Sequence, residues 1–136
     1  MAEEFSLSRE FRTILLVDDF SDALEMYEEY LTFKGYRVVT AADGPSAINA
    51  AQEHQPDLIL MDLQMPVMNG TTALQILRSD PRFNHVPVAA LTAHAMEDER
   101  IAALLAGFDA VIPKPCLPDE LVVAVEQLLA TPREVS

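Results

Sequence analysis

Five polar side chains stand at or just beyond the ends of short apolar runs. Asp62 ends one such run, the pair Asp18 and Asp19 follows a second, and Thr92 and Lys114 follow two more. Unbroken apolar runs of strand length are typical of strands that are buried on both faces of a parallel sheet. Because parallel strands all end at the same edge of the sheet, we expect these five side chains to converge on one pocket.

The residue types in this set favour the binding of a phosphoryl group. Three carboxylates at close range repel one another unless a cation compensates them. Oxygen ligands without histidine or cysteine favour Mg²⁺, which commonly helps to bind phosphate. Asp62 is the candidate nucleophile because it ends the long buried run in the middle of the set, and carboxylates can form aspartyl phosphates. Lys114 supplies positive charge and Thr92 a hydrogen bond to phosphoryl oxygens.

The intervening sequence predicts the elements that position these side chains. Strands are expected at residues 13–17, 36–40, 58–62, 86–91 and 110–112. Helical spacing of apolar residues predicts helices at 21–34, from about 45, from 69 or 70, from about 97 to 107, and at 118–130. Five strands that alternate with five helices predict an α/β domain with a parallel sheet.

Two of these helices carry more detailed expectations. Ser21 is the expected N-cap of the first helix, because a serine hydroxyl can accept a hydrogen bond from the first turn. In the fourth helix, Ile101, Leu104 and Leu105 are expected to form the face that points toward the sheet.

The composition limits the kind of protein. A length of 136 residues, half of them hydrophobic, fits one domain at 12–131, with a disordered leader at 1–11 and a short tail at 132–136. The net charge of -13, with nine scattered basic residues, argues against a direct nucleic-acid partner. The lone Cys116 cannot form an internal disulfide, and no apolar run approaches membrane-spanning length. We therefore expect a cytoplasmic protein without a membrane partner.

Four motifs resemble the receiver domain of two-component response regulators. They are Leu15-Leu16-Val17-Asp18-Asp19, the stretch PDLILMDLQMPVMNG from Pro56 to Gly70, Leu91-Thr92-Ala93, and Lys114-Pro115. The resemblance spans about residues 12–130. It implies a flavodoxin-like, doubly wound sheet of five parallel strands in the order 2-1-3-4-5, with five helices and with the first and third strands adjacent.

The resemblance also implies roles for the candidate site residues. Asp62 corresponds to the phosphoacceptor, which takes a phosphoryl group from a sensor histidine kinase or a histidine phosphotransfer protein. Asp19, Asp62 and the backbone carbonyl of Gln64 correspond to direct Mg²⁺ ligands, and Asp18 to an acid that acts mostly through metal-bound water. Such a domain is not an enzyme, although it assists its own phosphotransfer and dephosphorylation.

Thr92 and Lys114 correspond to the switch hydroxyl and the phosphate-binding lysine of the family. The resemblance implies that phosphorylation changes the protein partners of the surface formed by the fourth helix, fifth strand and fifth helix. Val111 stands where many receivers have an aromatic residue that moves inward with the threonine. The family often has a cis peptide bond before the proline that corresponds to Pro115. Because the sequence ends soon after the last predicted helix, the expected output is a protein contact of this domain.

Three other interpretations fit parts of the pattern. A Mg²⁺-dependent phosphohydrolase also forms an aspartyl phosphate, but such enzymes typically have two aspartates that flank one residue, whereas Asp18 and Asp19 are adjacent. A flavodoxin-like cofactor binder needs a turn rich in Ser, Thr and Gly after the first strand, which the turn after Val17 does not provide. A receiver-like binding module that works without phosphorylation is the third, although all the site residues are present.

Overall fold

Strands and helices alternate along the chain in the computed structural model, which describes residues 12–65 and 67–131. Within these ranges the elements are β1 (Thr13–Val17), α1 (Ser21–Phe33), β2 (Arg37–Ala41), α2 (Gly44–His54), β3 (Leu58–Asp62), α3 (Gly70–Arg78), β4 (Val88–Thr92), α4 (Glu97–Ala106), β5 (Ala110–Pro113) and α5 (Pro118–Ala130). A short 3-10 turn, Pro81–Phe83, lies between α3 and β4. The predicted alternation is confirmed, while the expected leader at 1–11 and tail at 132–136 lie outside the described residues.

The strands form one parallel sheet in the order β2-β1-β3-β4-β5. In the register of this sheet, Val17 of β1 is paired with Met61 of β3, and Asp62 of β3 is paired with Leu91 of β4. The three central strands therefore end side by side. The strand order 2-1-3-4-5 and the adjacency of the first and third strands are confirmed.

Alternate residues of the strands enter two apolar cores, one on each face of the sheet. One core contains Leu15 and Ile59 with residues of α2, α3 and α4. The other contains Leu16 and Leu60 with residues of α1 and α5. Because helices cover both faces, β1, β3 and β4 are buried along their whole length. This explains why their sequences are continuous apolar runs rather than alternating ones.

Several boundaries agree with the sequence signals. Asn69 caps α3, because its Oδ1 accepts a hydrogen bond from the Thr72 amide at 2.9 Å, and Gly107 ends α4 with a φ of 114°. β4 begins at Val88, two residues later than predicted, since Pro87 has no N–H to contribute to the sheet. No helix in the described ranges is long and apolar enough to cross a membrane.

The start of α1 differs from the prediction. Phe20 is the N-cap residue and Ser21 the first helical residue, and no side chain caps the helix. The Phe20 amide instead donates a hydrogen bond to Oδ1 of Asp18 at 2.9 Å. The prediction that Ser21 is the N-cap is therefore wrong by one position, because the carboxylate of Asp18 fixes the chain where it enters the helix.

The packing of α4 also differs from the prediction. Ile101, Leu104 and Leu105 are 46%, 40% and 83% exposed, whereas Ala103 is 4% exposed. Every residue from 101 to 106 is apolar, so the spacing alone does not identify the inward face. The predicted inward face is wrong: the small Ala103 lies against the sheet, and α4 presents larger apolar side chains to solvent.

Candidate functional site

The carboxylates of Asp18, Asp19 and Asp62 lie together at the carboxyl edge of the sheet. Their oxygen atoms, one from each residue, lie within 4.8 Å of one another. The strand order brings them together, because β1 ends immediately before Asp18 and the neighbouring β3 ends at Asp62. Asp18 and Asp62 are buried, whereas Asp19 is exposed. The cluster therefore has two interior acids and one that is open to solvent.

Lys114 brings a positive charge to this cluster. Its Nζ lies 2.9 Å from Oδ2 of Asp18 and 3.4 Å from Oδ2 of Asp62. Burial acts to lower the pKa of Lys114, but the hydrogen bond and charge of Asp18, together with the charge of Asp62, outweigh it and raise this pKa. The ammonium therefore stays protonated and offsets part of the negative charge of the three carboxylates.

The environment of Asp62 makes its carboxyl group a weaker acid than an ordinary aspartic acid. Burial raises the pKa of Asp62 to about 6; the hydrogen bond from the Gln64 amide and the charge of Lys114 act to lower it, and the charge of Asp18 adds to the rise. The Gln64 amide donates to Oδ1 of Asp62 at 3.0 Å. A pKa of about 6 leaves most Asp62 side chains ionised at a pH near 7. The carboxylate is thus available as a nucleophile.

Thr92 ends β4 next to these acids. It is 2% exposed, and its Oγ1 accepts a hydrogen bond from the His94 amide at 2.9 Å. Because this bond uses the oxygen as an acceptor, the hydroxyl proton can be donated to another group in the pocket. The Thr92 carbonyl accepts a hydrogen bond from the Lys114 amide at 2.8 Å. A backbone hydrogen bond therefore joins Thr92 at the end of β4 to Lys114 just after β5.

The donor set fits a hard divalent cation such as Mg²⁺. Asp18, Asp19 and Asp62 offer carboxylate oxygens at close range, and Lys114 alone leaves their charge incompletely compensated. Gln64 is exposed, and its amide contact with Asp62 brings its main chain to the cluster. The three aspartates would hold the ion, whereas the contribution of the Gln64 carbonyl stays a prediction.

Two features of the site were not found from the sequence. Gly70, interpreted only as a helix start, donates its amide to the Leu63 carbonyl at 3.0 Å and packs on the main chain that carries Asp62. Tyr27, a residue of α1, hydrogen-bonds through its hydroxyl to the loop after β5. A tyrosine within an otherwise apolar helix face was a usable signal, because a buried phenol usually has a hydrogen-bond partner.

Comparisons with known proteins agree with this geometry. A family model for the response regulator receiver domain matches residues 14–126. The transcriptional regulatory protein PrrA of Mycobacterium tuberculosis is 42% identical over 116 residues, which are 85% of this chain and 49% of that protein. The polar-differentiation response regulator DivK of Brucella anthropi is 30% identical over 118 residues, which are 87% of this chain and 96% of DivK. The chain thus spans about half the length of the PrrA relative and nearly all of DivK.

A solved structure extends the comparison to the site. The receiver domain of the sensor histidine kinase PA1611 from Pseudomonas aeruginosa PAO1 superposes with a TM-score of 0.82 and 34% sequence identity, covering 89% of this chain and 99% of that one. That structure has a magnesium ion coordinated in its active-site cleft.

Proposed function

This chain belongs to the response regulator receiver family of two-component signalling, and from that premise we propose that Asp62 is its phosphoacceptor. The observation that carries the proposal is the difference between the polar contacts of the two buried acids, Asp18 and Asp62. Both carboxylate oxygens of Asp18 are engaged at 2.9 Å, by the Phe20 amide and by Lys114. Among the described residues, the side chain of Asp62 has a long 3.4 Å contact with Lys114 and a 3.0 Å hydrogen bond from the Gln64 amide. Asp62 is therefore the buried carboxylate with the longer contacts to its partners, and it is freer to react with a phosphoryl group.

The phosphoryl donor is a sensor histidine kinase or a histidine phosphotransfer protein. A carboxylate oxygen of Asp62 forms a bond to phosphorus while the bond from phosphorus to the donor imidazole nitrogen breaks, and the imidazole keeps the electron pair. Mg²⁺, when held by the aspartates, supplies positive charge to the reacting oxygens. The chain acts as a signalling domain that also assists hydrolysis of its own acyl phosphate, in which water replaces Asp62 on phosphorus.

Lys114 and Thr92 respond to the new charge on Asp62. A phosphoryl oxygen is a stronger acceptor for the Lys114 ammonium than the carboxylate it now meets at 3.4 Å. The Thr92 hydroxyl donates a hydrogen bond to another phosphoryl oxygen. Because the Lys114 amide is bonded to the Thr92 carbonyl, the two residues shift their segments together. Phosphorylation thereby changes the populations of two packings of the strand ends and α4.

The surface of α4, β5 and α5 is the output face. Its exposed apolar side chains support a protein partner, and they include Met96, Ile101, Leu105 and Val123. The net charge of -13 favours a protein over nucleic acid as the partner of this domain. Val111 of β5 is half-buried and is not aromatic. We therefore assign the coupling between the phosphorylation site and the output face to the segment from Thr92 to α4, rather than to the rotation of an aromatic side chain.

Intact-mass spectrometry after incubation with acetyl phosphate tests this function. The wild type is expected to gain one phosphoryl group in the presence of Mg²⁺ and none in EDTA, and Asp62→Asn is expected to gain none. The matched control is Asp98→Asn, which removes an exposed carboxylate from the first turn of α4 and should behave as wild type. Phosphorylation of Asp62→Asn would exclude Asp62 as the acceptor. A folded wild type that gains nothing with Mg²⁺ would favour a binding module that works without phosphorylation.

A further inference from the structure

The hydroxyl of Tyr27 forms two hydrogen bonds with the main chain of Cys116, 89 residues away in the sequence. It donates to the Cys116 carbonyl at 3.0 Å and accepts from the Cys116 amide at 3.3 Å. Tyr27 is 2% exposed and Cys116 is 9% exposed, so water competes little for these groups. The phenol is therefore a specific buried link between α1 and the loop that follows β5.

This loop begins with Lys114. Just after β5, the Lys114 amide donates a hydrogen bond to the carbonyl of Thr92, the last residue of β4. The next residue, Pro115, has no N–H and is exposed, and the peptide bond before it is cis, as the resemblance implied. Cys116 provides the first main-chain donor after Lys114, and Tyr27 bonds both this donor and the Cys116 carbonyl.

Two bridges connect the same two segments of the chain. Asp18, whose carboxylate receives the Phe20 amide at the start of α1, pairs with Lys114 at the site. Tyr27, about two turns further along α1, pairs with Cys116, two residues after Lys114. The first bridge joins the side chains of Asp18 and Lys114. The second joins the side chain of Tyr27 to the main chain of Cys116. Both bridges therefore join α1, or the residues just before it, to the segment from Lys114 to Cys116.

We propose that Tyr27 is a positioning residue for Lys114: its hydroxyl fixes the main chain of Cys116 and thereby holds the Lys114 ammonium between Asp18 and Asp62. The proposal rests on the role proposed above for Lys114 in phosphoryl transfer. Without the hydroxyl, the buried amide and carbonyl of Cys116 lose their partner, and the loop shifts to recover one. The ammonium then spends less time in the geometry that phosphoryl transfer needs.

Limited lysine acetylation measures the position of Lys114 directly. Lys114 and the exposed Lys34 are the lysines of the chain, so the Lys114 to Lys34 labelling ratio from peptide mass spectrometry has an internal standard. Tyr27→Phe keeps the ring but removes the hydroxyl, and the ratio is expected to rise severalfold over wild type. The matched control is Tyr30→Phe, which removes an α1 hydroxyl that contacts Asp119 of α5 rather than the loop. An unchanged ratio in Tyr27→Phe would overturn the proposal.

A double-mutant cycle separates positioning from general destabilisation. Tyr27→Phe is expected to slow Mg²⁺-dependent phosphorylation by acetyl phosphate roughly 10-fold. In the Lys114→Ala background the same substitution is expected to change the rate little, because its effect passes through the ammonium. Equal slowing in both backgrounds would assign Tyr27 a merely structural role and overturn the proposal.

Amide hydrogen exchange of the wild type gives a measurement that needs no variant. The Cys116 amide is expected to exchange slowly, and exchange as fast as that of an exposed loop amide would overturn the proposed link. A wild type that acetyl phosphate does not modify would count against the proposed function of Asp62. The acetylation ratio would still decide whether Tyr27 positions Lys114, so the two failures are distinguishable.

Discussion

A Cβ atom on Gly70 would lie 2.5 Å from the backbone carbonyl oxygen of Asp62. Gly70 is the first residue of α3, and it is buried against the main chain at the end of β3. The atoms it meets belong to the backbone, so they cannot rotate away as the end of a flexible side chain would. The start of α3 and the position of the candidate phosphoacceptor are therefore set by the same contact.

Gly70→Ala is expected to impair both folding and phosphorylation. The added methyl group has to displace the main chain that carries Asp62, and such overpacking costs about 1–3 kcal/mol of unfolding free energy. Urea unfolding measures the stability, and the rate of Mg²⁺-dependent modification by acetyl phosphate measures the site.

Gly35→Ala is the matched control for this experiment. Gly35 has a φ of 99°, but a Cβ there would meet no atom within 4 Å. The control is expected to lose about 1 kcal/mol through backbone strain alone and to keep the wild-type phosphorylation rate. If both glycine variants were phosphorylated equally slowly, the contact between Gly70 and Asp62 would not be the cause.

The acidity of Asp62 predicts how stability depends on pH. Its pKa in the folded protein, about 6, lies above the ordinary 3.8, so the folded protein binds this proton more tightly than the unfolded chain does. Without metal, the contribution of Asp62 to stability is therefore expected to fall as the pH rises from about 4 to about 6. Asp62→Asn removes the buried charge and should be more stable than wild type near pH 7, by on the order of 2 kcal/mol.

Urea unfolding of both proteins in EDTA, from about pH 4 to about pH 8, checks this prediction. The advantage of Asp62→Asn should shrink toward the acid end, where Asp62 in the wild type is protonated. Added Mg²⁺ should stabilise the wild type more than Asp62→Asn, because the ion compensates the ionised carboxylate. Parallel pH profiles for the two proteins in EDTA would show that the Asp62 pKa is not raised.

Strand ends were easier to predict from the sequence than contacts between helices. Asp62 and Thr92 end strands that helices cover on both faces, so each apolar run is unbroken and its end marks the edge of the sheet. The inward face of α4 was mispredicted because residues 101–106 are all apolar and several faces satisfy the spacing. The contacts of Tyr27 and Gly70 depend on distances across the fold, which the spacing of residues along the chain does not contain.

The two faces of α4 are expected to respond differently to charge. Leu105 is 83% exposed, so Leu105→Glu should change the unfolding free energy by less than about 0.5 kcal/mol. Ala103 is 4% exposed, and Ala103→Glu buries a carboxylate against the sheet, which should cost more than about 3 kcal/mol. Thermal and urea unfolding compare the pair. If Leu105→Glu were instead the less stable variant, Leu105 would face the sheet, as the sequence predicted.

Val67 is expected to store strain in the loop between β3 and α3. Its φ is 71°, a left-handed conformation that a β-branched residue adopts only at a free-energy cost. The Val67 side chain is 92% exposed, so packing does not offset this cost. Val67→Asn is expected to stabilise the protein by about 1 kcal/mol in urea unfolding, because asparagine tolerates this region better. Gln55→Asn, at an unbranched residue with a φ of 48°, is the matched control and should gain less. A stability loss in Val67→Asn would mean that the valine makes a favourable contact that outweighs its backbone strain.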